Sequence, residues 1–378
     1  MLHHARRLHR TRNRAVCAPP VRGAAATHVT SSRRSADAPG PLIAASPAAN
    51  DGPGGETEHG VVIYDRPALY DVAFSLRDFE AQTDFMLRAA EAHGGAAPRS
   101  FPELACGPGR HARAAARRGL RATGLDRSAA MLAYAREQQA ADGGGAATFV
   151  EGDMTRLRKG GLEKHDVIAC LLGSFTHLLT WQAALKCLRG CARLLSRRGV
   201  VVLELPPPRR LFDGSAAHAA RPARGLDAEG AEDAGFEVPS WDVGDEARGL
   251  HVAVQWGAPG DAFCPLTQVL RRTVTITAWR DDNAARDTAG VVAASSNGND
   301  DDADDDMDAF LSRPPSAEVV ECVPSRFYTL PELELLARAA GLRVAALHGD
   351  LDASAAADSP EAHALVVVLA HPTDDDDA

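Results

Sequence analysis

Glu103, Gly107, Gly109 and Ala112 fall within ten residues of one another in "FPELACGPGRHARAAARRG" (101–119), and two further acids, Asp126 and Asp153, follow in the next stretch of chain. Phe101 to Ala105 reads as the end of a buried strand, and Ala112 to Arg118 as the helix after it. Glycines in a strand-to-helix turn let a ligand touch the main chain. The N–H groups at the helix start favour an electron-rich group there. This is a site for a nucleotide-like ligand. The Gly-x-Gly-x-x-Ala spacing, with Asp126 closing the next strand, also satisfies a dinucleotide-binding pattern, which is weak evidence alone. Glu103 points elsewhere: a carboxylate inside the turn repels a pyrophosphate and attracts an ammonium or its bridging water.

The elements that must position these residues alternate. After an aromatic segment, apolar residues from Phe79 to Ala90 recur at helical spacing, and Gly94-Gly95 stops that helix. "SFPELA", "LRATGLD", "ATFVEGD", "HDVIACLL" and "VVVLELPPP" read as strands, separated by helical stretches. The last of these helices, "TWQAALKCLRGCARLLSRRG", starts at Thr180 and is expected to run to about Gly199. Such alternation implies right-handed crossovers and a parallel sheet covered on both faces, with ligands at the strands' carboxyl ends. Glu103, Asp126, Asp153 and the loop 171–177 all fall at such ends.

Beyond Pro208 the pattern changes. "GLHVAVQWG", "LTQVLRRTVTITAWR" and "AEVVECVPSRFYT" read as three longer strands with no helix between them, an antiparallel cap inserted over residues 209–329. The acidic stretch 281–308 within it is too polar to bury a core and is expected to be a disordered loop. "TLPELELLARAAG" opens with a capping-box pair, Thr329 and Glu332, and two apolar strands return the chain to the main sheet over 330–371. The expected architecture is α/β: a doubly wound, seven-stranded sheet with a C-terminal antiparallel hairpin, a core at 61–208 begun by lid helices, and the cap.

The formal net charge of −10 over 378 residues argues against nucleic acid, and much of the acid lies in "DDDADDDMD" and in the tail 372–378. Seven cysteines without a CxxC pair give neither a disulfide framework nor zinc spacing, and Cys187 with Cys191 are two ligands at most, so no metal is expected. No stretch approaches the ~20 apolar residues that span a bilayer. Residues 1–50 are rich in Arg, Ser and Ala with no acid before Asp37, the composition of an organellar transit peptide, chloroplast ahead of mitochondrion; a Gly/Pro linker, 51–60, follows.

Glu103 in the turn, the acid of "EGDM" (151–154) suited to an exocyclic amine of adenine, and the final helix with its strand pair favour S-adenosylmethionine over a dinucleotide. The ordered set "ELACGPGRHA", "ATGLDRSAAMLAYARE", "FVEGDM", "HDVIACLLGSFTHLL" and "LLSRRGVVVLEL" resembles the class I S-adenosylmethionine-dependent methyltransferases, whose sheet is Rossmann-like, from about Tyr64 to His371. The resemblance implies that Glu103, Ala105, Gly107 and Gly109 form the cofactor-binding turn, Ala105 replacing its usual first glycine. It further implies that Asp126 takes the ribose hydroxyls, that Asp153 and Met154 meet the adenine edge and face, and that Leu171 and Gly173 meet the methionine end. The cap resembles that of small-molecule methyltransferases such as the glycine and sugar-amine N-methyltransferases. No Asn-Pro-Pro-Tyr or Asp-Pro-Pro-Tyr follows the fourth strand, so the pattern for methylating a nucleobase amine is missing.

Within that frame His177, a turn beyond the fourth strand, is the candidate general base, its bland alternative being a cap on the short helix 174–179. Tyr70 and Arg77 would close over the cofactor, Tyr70 facing the sulfonium and Arg77 the methionine carboxylate; plain helix packing is the other reading. Arg326 and Tyr328, ending a cap strand, are the candidate substrate contacts, and Glu204 ends strand five. Two other functions stay open: a nicotinamide-dependent oxidoreductase, which must explain Glu103 and Asp153, and a non-catalytic S-adenosylmethionine-binding relative.

Overall fold

Apolar strands that end in small residues and polar helix starts give a regular series in the computed structural model, which describes residues 62–157, 164–207, 209, 238–280 and 313–373. Helices α1 (Pro67–Ala73) and α2 (Phe79–Gly94) lead into β1 (Ser100–Leu104), α3 (Arg110–Arg117), β2 (Arg121–Asp126), α4 (Ala129–Asp142) and β3 (Thr148–Glu151). Then come β4 (His165–Cys170), α5 (Trp181–Leu194) and β5 (Leu195–Leu205). Side chains of Asp78, Ser128 and Thr180 each accept a main-chain N–H three residues on, which starts α2, α4 and α5. Gly95 and Gly143 close α2 and α4 in the left-handed conformation.

The cap consists of β6 (Ser240–Asp245), β7 (Leu250–Trp256), β8 (Ala262–Cys264), β9 (Val269–Arg280) and β10 (Ala317–Arg326). The chain returns through α6 (Leu330–Ala339), β11 (Arg343–Gly349) and β12 (Leu365–Ala370). The main sheet has seven strands in the order β3-β2-β1-β4-β5-β12-β11, with β12 alone reversed and so antiparallel to both β5 and β11. The cap sheet runs β10-β9-β7-β6, antiparallel, with β8 paired to β9.

Two apolar layers cover the main sheet. Phe85, Met86, Ala115 and Leu132 from α2, α3 and α4 pack beneath Phe101, Val167 and Val202. Leu188 and Leu194 of α5 and Leu333 and Leu336 of α6 pack on the other face with Ile168, Val201 and Leu203. A third cluster joins Val72 and Ala73 of α1 to Val252, Val254, Val274 and Ile276 of the cap. Helix α1 is therefore packed onto the cap sheet.

Three local expectations are corrected. The helix expected to reach Gly199 ends at Leu194, because Leu195 already pairs with His165 and Val200 with Val167. Gly199 lies against the carbonyl oxygens of His165 and Asp166, so strand contact overrides helix propensity across "SRR". The capping box does not form: Thr329 makes no side-chain cap bond, and Glu332 pairs with Arg326 instead. The cap holds five strands rather than three, since the polar segment of β6 and the three residues of β8 are ordered by their partners β7 and β9. The leader 1–50, the linker 51–60, the acidic loop 281–308 and residues 374–378 of the tail lie outside the described residues.

Candidate cofactor and acceptor site

The turn after β1 places three left-handed residues within five: Ala105 (φ 51°), Gly107 (φ 51°) and Gly109 (φ 70°). Ala105 is the costly one, since its Cβ crowds the carbonyl. Asp126 pins the turn from the neighbouring strand. Its Oδ2 accepts the Gly107 N–H at 2.8 Å, and its Oδ1 accepts the Ser128 N–H at 2.8 Å. Glu103, 3 % exposed, accepts the Ala112 N–H at 3.1 Å and pairs with His111 Nδ1 at 3.0 Å. It therefore braces the start of α3 as well as lining the cleft.

That cleft is lined by residues Ala105 to Pro108, by Glu103, Arg110 and His111, by Tyr70 and Asp71 of the first helix and by Phe74 just beyond it. Leu172 and Ser174 from the loop after β4 complete one wall. Tyr70 covers the glycine turn: a Cβ on Gly107 would meet its Cε1 at 3.8 Å. Leu171 is buried, while Leu172 (φ 50°) and Gly173 (φ 71°) are left-handed. The Leu172 N–H donates to Glu204 Oε2 at 2.9 Å. Met154 is buried beside Asp153, whose Oδ1 accepts the Thr155 N–H at 2.7 Å and the Thr155 hydroxyl at 2.8 Å. Partial desolvation opposes ionisation of Asp153, yet these two bonds, with Arg127 and Arg156, hold its carboxyl below its ordinary value.

Arg77 and Glu204 meet. Arg77 Nη2 lies 2.7 Å from Glu204 Oε1, so the arginine expected at the methionine carboxylate is paired with the strand-end acid. Gln82, with its amide nitrogen turned to His111 Nε2 at 3.0 Å and its oxygen to Arg77 at 3.1 Å, joins that pair to Glu103. A continuous polar chain, Glu204–Arg77–Gln82–His111–Glu103, thus runs beneath the cleft. His111 and Gln82 escaped the sequence reading; the only signal was a histidine directly after the glycine turn.

Toward the cap, His177 Nε2 lies 3.1 Å from the Tyr64 hydroxyl, and Nδ1 3.3 Å from the Pro324 carbonyl. A carbonyl only accepts, which places the proton on Nδ1 and leaves Nε2 to accept from Tyr64. Desolvation by the surrounding protein, reinforced by the Arg272 charge and opposed by the Pro324 bond, pushes the His177 pKa down. Tyr64 packs 5.8 Å from Tyr70, ring to ring, and Tyr70 4.6 Å from Phe74. Trp241 and Trp256 of the cap continue this wall at 5.6 and 5.7 Å from Phe74. The contact between the first helix and the cap is therefore aromatic.

Arg326 and Tyr328 are placed elsewhere. Tyr328 is 3 % exposed, stacks 5.2 Å from Phe175 and donates its hydroxyl to the Leu178 carbonyl; Arg326 pairs with Glu332. Like His177 and Tyr64, neither is part of the cleft's lining. Cys187 and Cys191 are buried, and among the described residues no group of three or more His, Cys, Asp or Glu is placed to hold a metal. No helix among them is long and apolar enough to cross a membrane.

Residues 102–199 match the family model of a methyltransferase domain. No curated protein matches the chain. Among solved structures, an S-adenosylmethionine-dependent methyltransferase from Clostridium acetobutylicum is 12 % identical, with 82 % of this chain and 100 % of that one covered at a TM-score of 0.55. DesVI from Streptomyces venezuelae is 18 % identical (81 % and 98 % covered, TM-score 0.53). The CcbJ methyltransferase from Streptomyces caelestis is 19 % identical (80 % and 96 %, TM-score 0.51). At such identities the structural likeness speaks for the fold alone.

Residues 102–199 thus form a methyltransferase domain, and the sheet order and the pinned glycine turn are those of the Rossmann-like methyltransferase fold. The residues fit the cofactor: a glycine at position 107 of the turn that lines the cleft, and carboxylates, Glu103 and Asp126, at the ends of β1 and β2. The chain is accordingly an enzyme of methyl transfer that uses S-adenosylmethionine, and the dinucleotide reading of the turn is set aside.

Proposed function

We propose that this methyltransferase acts on a small-molecule acceptor, held between the lid, the loop after β4 and the aromatic face of the cap. The carrying observation is that Tyr64, whose ring packs 5.8 Å from the cleft-lining Tyr70, meets His177 Nε2 at 3.1 Å, a pair just behind the lining of that cleft. S-Adenosylmethionine supplies there a methyl carbon already activated by its sulfonium. Asp126 would hold the ribose, and Asp153 with Met154 the adenine. Tyr70 would cover the sulfonium end, with Leu171 and Gly173 setting the main chain beside it. Aromatic walls exclude water and align the acceptor, and alignment is the larger part of what such a reaction requires. His177 Nε2 would take the proton released by the acceptor, directly or through the Tyr64 hydroxyl.

A screen of metabolites with methyl-labelled cofactor tests this reading. Label should appear in a small molecule. Because the pKa of His177 is lowered, its ring stays neutral and able to accept a proton below the ordinary value of about 6.5. The acid limb of the rate profile should therefore fall below pH 6.5, and His177→Ala should abolish that limb. Binding of S-adenosylhomocysteine with no transfer to any acceptor would instead mark a non-catalytic cofactor binder.

We also propose that residues 1–50 direct the chain to an organelle, the chloroplast before the mitochondrion, on the strength of their Arg-, Ser- and Ala-rich, acid-poor composition. A fluorescent protein fused behind residue 60 should enter plastids. Diffuse cytosolic signal would refute the assignment.

A further inference from the structure

Asp71 is a carboxylate within the apolar run "LYDVAF", and its side chain is 1 % exposed. A buried charge is held only where several groups answer it. Here the answering groups come from three separate parts of the fold. Arg110 Nε donates to Asp71 Oδ1 at 2.5 Å, and Arg110 Nη2 to the Asp71 carbonyl at 3.2 Å. Tyr134 of α4 donates its hydroxyl to Oδ2 at 2.8 Å. Arg248, from the turn between β6 and β7 of the cap, places Nη1 3.5 Å from the same oxygen.

Each partner is itself fixed. Arg110 directly follows Gly109, opens α3 and lies 5.0 Å over the Phe79 ring. Arg248 is held by Asp245 at 3.2 Å and donates to Gln138 of α4 at 2.8 Å. Asp71 and Arg110 line the cofactor cleft; Arg248 does not. The residues on either side of Asp71 bury themselves in opposite directions, Tyr70 over the glycine turn and Val72 in the cap cluster.

We propose that Asp71 is a positioning residue for the cofactor: it locks the helix that follows the glycine turn to the first helix and to the cap, so that a cap residue outside the cleft sets cofactor affinity. Arg248 acts on the cofactor only through Asp71. The two must then fail together rather than independently.

Calorimetric titration of the full chain with S-adenosylhomocysteine tests this, using Asp71→Asn, Arg248→Gln and the double variant. Asp71→Asn should weaken binding at least tenfold and Arg248→Gln at least threefold. The double variant should bind within twofold of Asp71→Asn, and Arg248→Lys should recover most of the Arg248→Gln loss. A lowered melting temperature with unchanged affinity in Arg248→Gln would leave both residues purely structural and overturn the proposal. So would losses that multiply in the double variant. If Asp71→Asn does not fold, the Arg248→Gln and Arg248→Lys pair decides alone. The inference rests on the cofactor assignment: failure of the unaltered chain to bind would remove both, whereas losses confined to the variants bear on Asp71.

Discussion

Asp126→Ala should yield a folded chain whose affinity for S-adenosylmethionine has fallen about 100-fold, roughly 2.7 kcal/mol. Asp126 sits at the carboxyl end of β2 with one oxygen on the Gly107 N–H and the other on the Ser128 N–H. The substitution removes the carboxylate that would meet the ribose and also frees the turn on which the cofactor rests. Charge-assisted hydrogen bonds contribute about 1.5–3 kcal/mol each, and the two losses overlap rather than add. Strands β1, β2 and β3 keep their pairing, so the melting temperature should drop little. Calorimetry returning the wild-type affinity would show that the cofactor lies elsewhere.

The largest effect on stability is expected at Gly109→Ala. A Cβ there would stand 2.4 Å and 2.8 Å from ring atoms of Phe149, on a backbone at φ 70°. The left-handed conformation costs a side-chain-bearing residue about 1–2 kcal/mol, and forced overpacking about 1–3 kcal/mol more. A loss of about 3 kcal/mol corresponds to a fall of roughly 6–12 °C in melting temperature for a domain of this size. Gly119 provides the control: it is also left-handed (φ 82°), but a Cβ there meets nothing within 4 Å. Gly119→Ala should therefore show the backbone cost alone, and equal falls for both variants would remove Phe149 from the explanation.

The main sheet was legible because each of its strands is a short apolar run set between a turn and an amphipathic helix, and periodicity reports burial directly. β6 and β8 were not, since "SWDVGD" and "AFC" carry little apolar alternation and become strands only by pairing with β7 and β9. The border between α5 and β5 misled for the same reason: Leu195 is claimed by His165, thirty positions earlier. The turn residues of the site were readable as types at a spacing. Their partners were not. Arg77 and Glu204 stand 127 positions apart, and each alone looks like an ordinary surface charge. Asp71 was hidden differently, by an apolar neighbourhood that suggests packing; only the fold brings Arg110, Tyr134 and Arg248 to it.

The placement of β12 has a consequence for how the chain reaches this state. Its six residues are all buried, and they pair with β5 so that Leu365 faces Leu205 across 160 positions of intervening sequence. Until that intervening sequence has been made, the ladder edge of β5 has no native neighbour. Contacts of such long range are slow to form, and an unpaired apolar strand edge invites pairing with other chains. The parallel half of the sheet, β1 to β5, can assemble as it emerges during synthesis, but its closure waits for a late strand. Chaperone demand in this protein should therefore concentrate on the interval between completing β5 and docking β12, when the exposed edge belongs to the element that also carries Glu204.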